Sequence, residues 1–152
     1  MHFSCCIWAL TGPEEENLQK MSELGFSWID IQPSMLVTAA SQAQARALGL
    51  AVSCVGVSFG LPDGATLDSP DAAQRDAALA HMERSLAHAA SLGAKSAYVI
   101  PGMNGSKEAL RRYGDSVAAT AEMAQKHGLT LGIEHFPGKA LDTAAATLEL
   151  VR

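Results

Sequence analysis

Two rhythms of hydrophobic and polar positions alternate along the chain. One is a helical spacing, the other a short and mostly apolar run, and four times the switch between them falls at a glycine. Gly25, Gly49, Gly93 and Gly128 each close an amphipathic stretch ahead of an apolar run: Phe26 to Ile31, Leu50 to Val57, Ala97 to Ile100 and Leu129 to Ile133. Glycine adopts positive φ without a Cβ penalty, so this placement predicts helix ends followed closely by strands. Apolar residues dominate each run instead of alternating strictly with polar ones, as expected of parallel strands covered by helices. A fifth strand, Phe3 to Leu10, opens the chain.

The intervening stretches read as helices. Thr11-Gly12-Pro13-Glu14 has capping-box spacing and predicts a first helix running to about Leu24. A shorter second helix covers Ser41 to Leu48. The third begins at Ser69-Pro70, a cap residue followed by proline at the first helical position, and buries Leu79, Met82, Leu86 and Ala89 or Ala90. A fourth covers about Lys107 to His127, and a fifth starts near Asp142-Thr143 and is still running at Leu150-Val151-Arg152. The long connection from Ser58 to Asp68, with Gly60, Pro62, Asp63 and Gly64, lies beyond a strand's carboxyl end, where functional loops of α/β proteins gather.

Residues 1–152 are thus expected to be one α/β domain with a parallel sheet of about five β-α units. Two architectures stay open: a complete doubly wound sheet, or the first five eighths of a (β/α)8 barrel. Length favours the first, because a barrel takes about 250 residues and a partial one exposes two strand edges that invite association. Local chemistry favours the second. A doubly wound nucleotide binder places a glycine-rich phosphate loop after its first strand, whereas here Thr11-Gly12-Pro13 leads into Glu14, Glu15 and Glu16, which repel a phosphate at a helix start.

Composition narrows the partners. A formal net charge of -5, with basic residues scattered and aromatics at 5%, argues against a nucleic-acid groove and for small-molecule chemistry. Cys5, Cys6 and Cys54 make an odd count, and adjacent strand residues point to opposite faces, so Cys5 and Cys6 are poorly placed to pair. Reduced thiols and a cytoplasmic location follow as expectations. Met1-His2-Phe3-Ser4 lacks a basic region with a long apolar core, and no run approaches the roughly 18 apolar residues of a span, so neither export nor membrane insertion is expected.

Among chemistry-bearing residues, Glu134 is the sharpest candidate. It follows Leu129-Thr130-Leu131-Gly132-Ile133 and precedes His135-Phe136-Pro137-Gly138, so it sits where a parallel strand delivers its end to a barrel mouth. A carboxylate there suits metal binding or acid/base work, and a salt bridge or a helix cap is the plain alternative. His135, its neighbour, is expected to face the helix layer or solvent. His81 and His88 are seven residues apart on one helix, about 10.5 Å along its axis, too far to share a metal, and are read as solvated. Gly102-Met103-Asn104-Gly105-Ser106-Lys107 is too short for a Walker loop; a plain capped loop is the simpler account, although Lys107 and nearby backbone N–H groups could hold a phosphate group. Trp8, near the first strand's end, is a candidate pocket wall, while Trp28 and Phe136 read more readily as core. Arg111 and Arg112 read as surface charges.

The stretch Gly128 to Gly138, together with Gly25-Phe26 through Asp30-Ile31 and Leu92-Gly93-Ala94-Lys95 through Pro101-Gly102, resembles the sugar phosphate isomerase/epimerase family, whose fold is the xylose isomerase-like TIM barrel. The likeness runs in order along nearly the whole chain and covers the first five of that family's eight units. It implies that Glu134 is a ligand of a divalent metal and a base, the remaining aspartate, histidine and glutamate ligands coming from later strands. The related endonuclease IV branch takes zinc ligands from histidines ending the third and fourth strands, where this sequence has Gly56 and Ile100, so a DNA-repair nuclease is disfavoured. The family's glutamate ending the second strand has Asp30 as its nearest counterpart, one methylene shorter.

The resemblance therefore implies the amino-terminal part of a metal-dependent sugar or sugar phosphate isomerase/epimerase working through an enediolate. Mn, Mg or Co would be held weakly or not at all by this part, and turnover is not expected of it alone. Trp8, Asp30 and Lys107 are the candidate substrate contacts. Two alternatives remain: a non-catalytic half-barrel that associates through its open sheet edges, and a doubly wound domain binding a small ligand, which would place the first strand in the middle of the sheet.

Overall fold

The computed structural model describes residues 3–152. Strands and helices alternate as β1 (Ser4–Cys6), α1 (Glu14–Glu23), β2 (Trp28–Ile31), α2 (Ala39–Ala47), β3 (Ala51–Gly56), α3 (Ala72–Ser91), β4 (Ser96–Val99), α4 (Lys107–Lys126), β5 (Thr130–Ile133) and α5 (Ala144–Leu150). All neighbouring strands are parallel, and their spatial order is β1-β2-β3-β4-β5. With β1 at an edge and the strands in chain order, the sheet follows barrel order. The doubly wound alternative, which needs β1 inside the sheet, is overturned.

The helix stops create this order. At Gly93, φ is 77°, its N–H donates to the Ala90 carbonyl at 3.0 Å, and the Ala94 N–H reaches back to the Ala89 carbonyl at 3.1 Å. This double closure satisfies carbonyls that the end of α3 leaves free and turns the chain back toward the sheet. The same pair of bonds recurs at Gly25, Gly49 and Gly128.

Each strand divides its side chains between two faces. Ile29, Ile31, Val55 and Val99 are fully buried against the helices, where Leu18, Met21, Met82 and Leu86 meet them. The other face is concave and polar. One row of partners crosses it from Cys6 to Asp30, Cys54, Ser96 and Thr130, and the next joins Gly56, Tyr98 and Gly132. A register shift between Ile29 and Asp30 leaves Ser53 beside the Asp30 carboxylate.

Several local expectations are corrected. The first strand stops at Cys6, and Ile7–Ala9 form a 3-10 turn, because the chain must bend before Gly12, at φ 106°, to enter α1. Thr11 forms no capping box. Pro13 occupies the cap position without a side-chain bond, and the Glu14 carboxylate instead accepts from the Leu36 N–H at 3.1 Å. In α2 the box belongs to Thr38, which pairs with Ser41 at the third helical position, so the helix starts before Ser41. Asp71 caps α3, accepting from the Ala73 N–H at 2.9 Å, while Ser69 donates to the Gln74 side chain just ahead of it. The fifth helix ends at Leu150.

His81 and His88 are half-buried, not solvated. His88 Nε2–H donates to the Met35 carbonyl at 2.8 Å and His81 Nε2–H to the Phe59 carbonyl at 2.9 Å, which ties the loops after β2 and β3 to α3. Trp28 and Phe136 are also outside the core: Trp28 is half-buried in line with Asp30, and Phe136 is exposed.

Two substitutions separate the backbone from the packing contribution. A Cβ at Gly93 meets nothing within 4 Å, so Gly93→Ala carries only the positive-φ penalty and should cost about 1 kcal/mol. Ile31→Ala removes a fully buried side chain between sheet and helices and should cost ~2–5 kcal/mol. Urea unfolding of both variants checks the ranking.

Candidate active site

The polar face of the sheet gathers the titratable groups. Asp30 lies next to the β1 edge, one residue short of the end of β2, and its carboxylate is already engaged. It accepts from Ser4 Oγ at 2.8 Å, from Ser53 Oγ, and more weakly from Cys6 Sγ at 3.9 Å. Glu134 follows β5 directly, and its N–H continues the ladder by donating to the Val99 carbonyl at 3.0 Å. Two residues beyond Gly132, it stands on the concave face at the strand-carboxyl rim. Its charge reaches across that face, contributing to the raised pKa values of Cys6, Cys54 and Tyr98. No hydrogen bond or ion pair engages its carboxylate among the described residues. Of the two acidic candidates, Asp30 is tied into the sheet and Glu134 is exposed at its rim.

An aromatic cluster stands over the same face. Trp8 and Phe59 have ring centroids 4.8 Å apart, and Phe59 meets Tyr98 edge-on at 6.2 Å. Gly56 makes this possible. A Cβ there would fall 2.5 Å from the Phe59 ring and 2.8 Å from the Tyr98 hydroxyl. Trp8 lies on the 3-10 turn instead of a strand, and its buried indole N–H lacks a partner among the described residues. Phe59 and Tyr98 escaped the sequence reading. Tyr98 could have been found from the alternation of Ser96 and Tyr98 with Ala97 and Val99, which puts the phenol on the polar face; for Phe59, inside a long loop, no periodic signal exists. Lys107 is the first residue of α4, exposed and without a side-chain partner among the described residues. His135 is exposed as well. The structure thus brings Glu134, Asp30 and Trp8 to one side of the sheet and leaves Lys107 at a helix start.

Among the described residues no group of three or more His, Cys, Asp and Glu could hold a metal ion. With Asp30 engaged by its neighbours, Glu134 is a lone carboxylate, and a divalent cation that takes six or more oxygen ligands does not fit this chain by itself. The three cysteines are free.

A family model described as the xylose isomerase-like TIM barrel matches residues 18–152. The chain belongs to this family. Among solved structures, L-ribulose 3-epimerase superposes with a TM-score of 0.78 at 21% identity, over 99% of this chain and 56% of that one. D-allulose 3-epimerase from Methylomonas sp. gives 0.83 at 14% identity, over 99% and 58%. The E. coli 3-keto-D-glucoside 4-epimerase gives 0.70 at 18%, over 97% and 62%. At such identities the likeness is one of fold, and the chain spans little more than half the length of these structures. No curated protein matches it. No helix among the described residues is long and apolar enough to cross a membrane.

Burial, followed by the neighbouring carboxylates and thiols, raises the pKa of Cys6 and of Tyr98; burial likewise dominates for Cys54 and, with Asp68, for Tyr113. The folded chain therefore holds these four protons more tightly than the unfolded chain does. Their contribution is complete below the ordinary thiol value of 9.0 and is lost as pH rises through the folded-state values. Urea midpoints should accordingly fall as pH rises above about 9, and Cys54→Ser should lessen the fall. A flat profile over that window would show that these groups are not held neutral.

Proposed function

We propose that residues 1–152 form one partial barrel domain, the amino-terminal five β-α units of a sugar isomerase or epimerase, with Glu134 as the carboxylate that moves the substrate proton. The observation that carries this reading is the unengaged Glu134 side chain at the strand-carboxyl rim of a polar concave face, the end at which barrels of this kind hold their chemistry. The epimerases that superpose on the chain act on small sugars, which supports a sugar or sugar phosphate as substrate. Reduced thiols are in keeping with a cytoplasmic location.

In this reading a carboxylate abstracts the proton from the carbon beside the sugar carbonyl, and the electron pair moves onto the carbonyl oxygen to give an enediolate. Return of the proton to the other face or to the neighbouring carbon completes epimerisation or isomerisation. Tyr98, kept protonated by burial, is placed on the same face to donate a hydrogen bond to the developing oxyanion. Trp8 and Phe59 supply an apolar wall for the sugar ring, and Lys107, at the start of α4, suits a phosphate on a longer substrate. A divalent Mn, Mg or Co ion, expected from the family, would need ligands beyond Glu134. The isolated chain should bind such ions at millimolar affinity or weaker, and it should not turn over sugars.

The open edges favour a second reading, a non-catalytic half-barrel that pairs through them, since β1 and β5 are each hydrogen-bonded on one side only. Light scattering that reports a monodisperse monomer would count against it.

The catalytic reading is tested on a polypeptide that carries these residues together with three further β-α units. Solvent deuterium should enter ketoses at the carbon next to the carbonyl, and Glu134→Gln should slow this by on the order of 10²–10⁴-fold with the fold intact. Equal exchange by the variant, or none by the parent with a panel of ketoses and aldoses, overturns the proposal. Manganese titration of the 152-residue chain, read by electron spin resonance, checks the weak affinity.

A further inference from the structure

His81 is a chemistry-bearing side chain that the proposed proton transfer leaves unused. It lies midway along α3, half-buried, and its Nε2–H donates at 2.9 Å to the carbonyl of Phe59, the residue whose ring stands over the concave face. Among the described residues no other side chain bonds to the Phe59 backbone. The imidazole also packs on the same turn, since a Cβ on Gly60 would lie 3.9 Å from His81 Cε1.

Phe59 needs such a hold because it belongs to neither strand nor helix. It sits in the turn that leaves β3, where its N–H donates to the Gly56 carbonyl at 3.2 Å and Gly60 follows at φ 72°. Its ring rests over Gly56 and meets Trp8 and Tyr98, contacts that favour the position but have little directionality. Toward α3 and the loop after β2 the packing is open. A cavity of about 210 Å³ lies there, walled by Gln32, Pro33, Ser34, Gly60 and His81 together with Phe59. Several waters of about 30 Å³ each would fit in such a space, so the turn has room to retreat from the aromatic cluster. A directional bond to the Phe59 carbonyl fixes the backbone from which the ring hangs.

We propose that His81 is a positioning residue: by holding the Phe59 carbonyl it keeps the Phe59 ring packed against Trp8 and Tyr98, so that the aromatic wall is set before a ligand arrives. Its bearing on turnover rests on the reading of that wall given above, whereas the tether itself does not. His88 provides the comparison. Seven residues further along α3 it makes the same kind of bond, at 2.8 Å to the Met35 carbonyl, in a loop that contributes no ring to the cluster.

The tether is read without any sugar, from the two tryptophan indole signals of the isotopically labelled 152-residue chain. Trp28→Phe assigns them, and Phe59→Leu shows where the Trp8 signal falls once the ring current of its neighbour is gone. His81→Leu should carry the Trp8 signal most of the way to that position. His81→Gln, whose amide N–H can replace Nε2–H, should restore it, and His88→Leu should leave it in place. The proposal is overturned if His81→Leu leaves the Trp8 signal unmoved, if His81→Gln behaves as His81→Leu does, or if His88→Leu moves the signal equally. Should the His81→Leu chain fail to fold, the unsubstituted chain decides: at about pH 8, where imidazole is ordinarily neutral, His81 should be the Nε2–H tautomer, and an Nδ1–H tautomer overturns the proposal. On the polypeptide extended by three β-α units, His81→Leu should raise KM several-fold and change kcat by less than about twofold. A loss confined to kcat would place His81 in the chemistry and overturn the positioning role. Absence of turnover by the parent counts against the sugar reading alone, with the indole signals still deciding the tether.

Discussion

The backbone closure at the four helix ends governs everything above it in the structure. Where the Leu129 N–H bonds to the Ala124 carbonyl, and its three counterparts do likewise, the helix is stopped at a residue of positive φ and the chain is sent back along the sheet in the direction of the previous strand. Repetition of one turn produces parallel neighbours in chain order, and parallel neighbours deliver all their carboxyl ends to a single rim. Glu134 and the loop that carries Phe59 share that rim for this reason. Specific side chains supply the chemistry there, and the backbone repeat supplies their convergence.

That dependence explains what was legible from residues alone. A glycine ahead of an apolar run is a local signal, so the strands and the order of helices could be read without coordinates. Cap identity was less secure because a capping box is specified by spacing but decided by neighbours. The Glu14 carboxylate has the right spacing from Thr11 and is drawn instead to the Leu36 N–H, 22 residues away, where a non-glycine residue at φ 54° needs an acceptor. His81 and His88 misled in the same way. Polar residues on a helix surface look solvated until the loops that cover them are placed: His88 holds a carbonyl of the loop after β2, and His81 one of the long loop that leads into its own helix. Long-range partners of this kind leave no trace in local pattern.

The two carboxylates of the concave face show how register decides availability. Asp30 pairs with Cys6 on one side and Cys54 on the other, and the slipped register beside it brings Ser53 within reach, so its charge is dispersed into hydroxyl bonds. Hydrogen bonds of this type hold the carboxylate in place. Glu134 is one residue past the end of an edge strand, beyond the last rung at which a neighbour could offer a hydroxyl. The shorter side chain at the inner position serves the sheet, and the longer one at the rim is left exposed without a partner among the described residues.

The size of the side chains on that face carries the argument one step further. Closed barrels of this class fill their interior with layers of bulky branched residues, whereas the rows here consist of Cys, Asp, Ser and Thr, then Gly, Tyr and Gly. Away from Trp28 and the Trp8–Phe59–Tyr98 cluster, these small groups pack such an interior loosely. Gly56 and Gly132 flank Tyr98 in the upper row with different effects: the Phe59 ring fills the space over Gly56, while the space over Gly132, on the Glu134 side, stays open. Gly56 thus serves the packing of Phe59 against Tyr98, and Gly132 keeps the ground between Tyr98 and the Glu134 rim free of side chains.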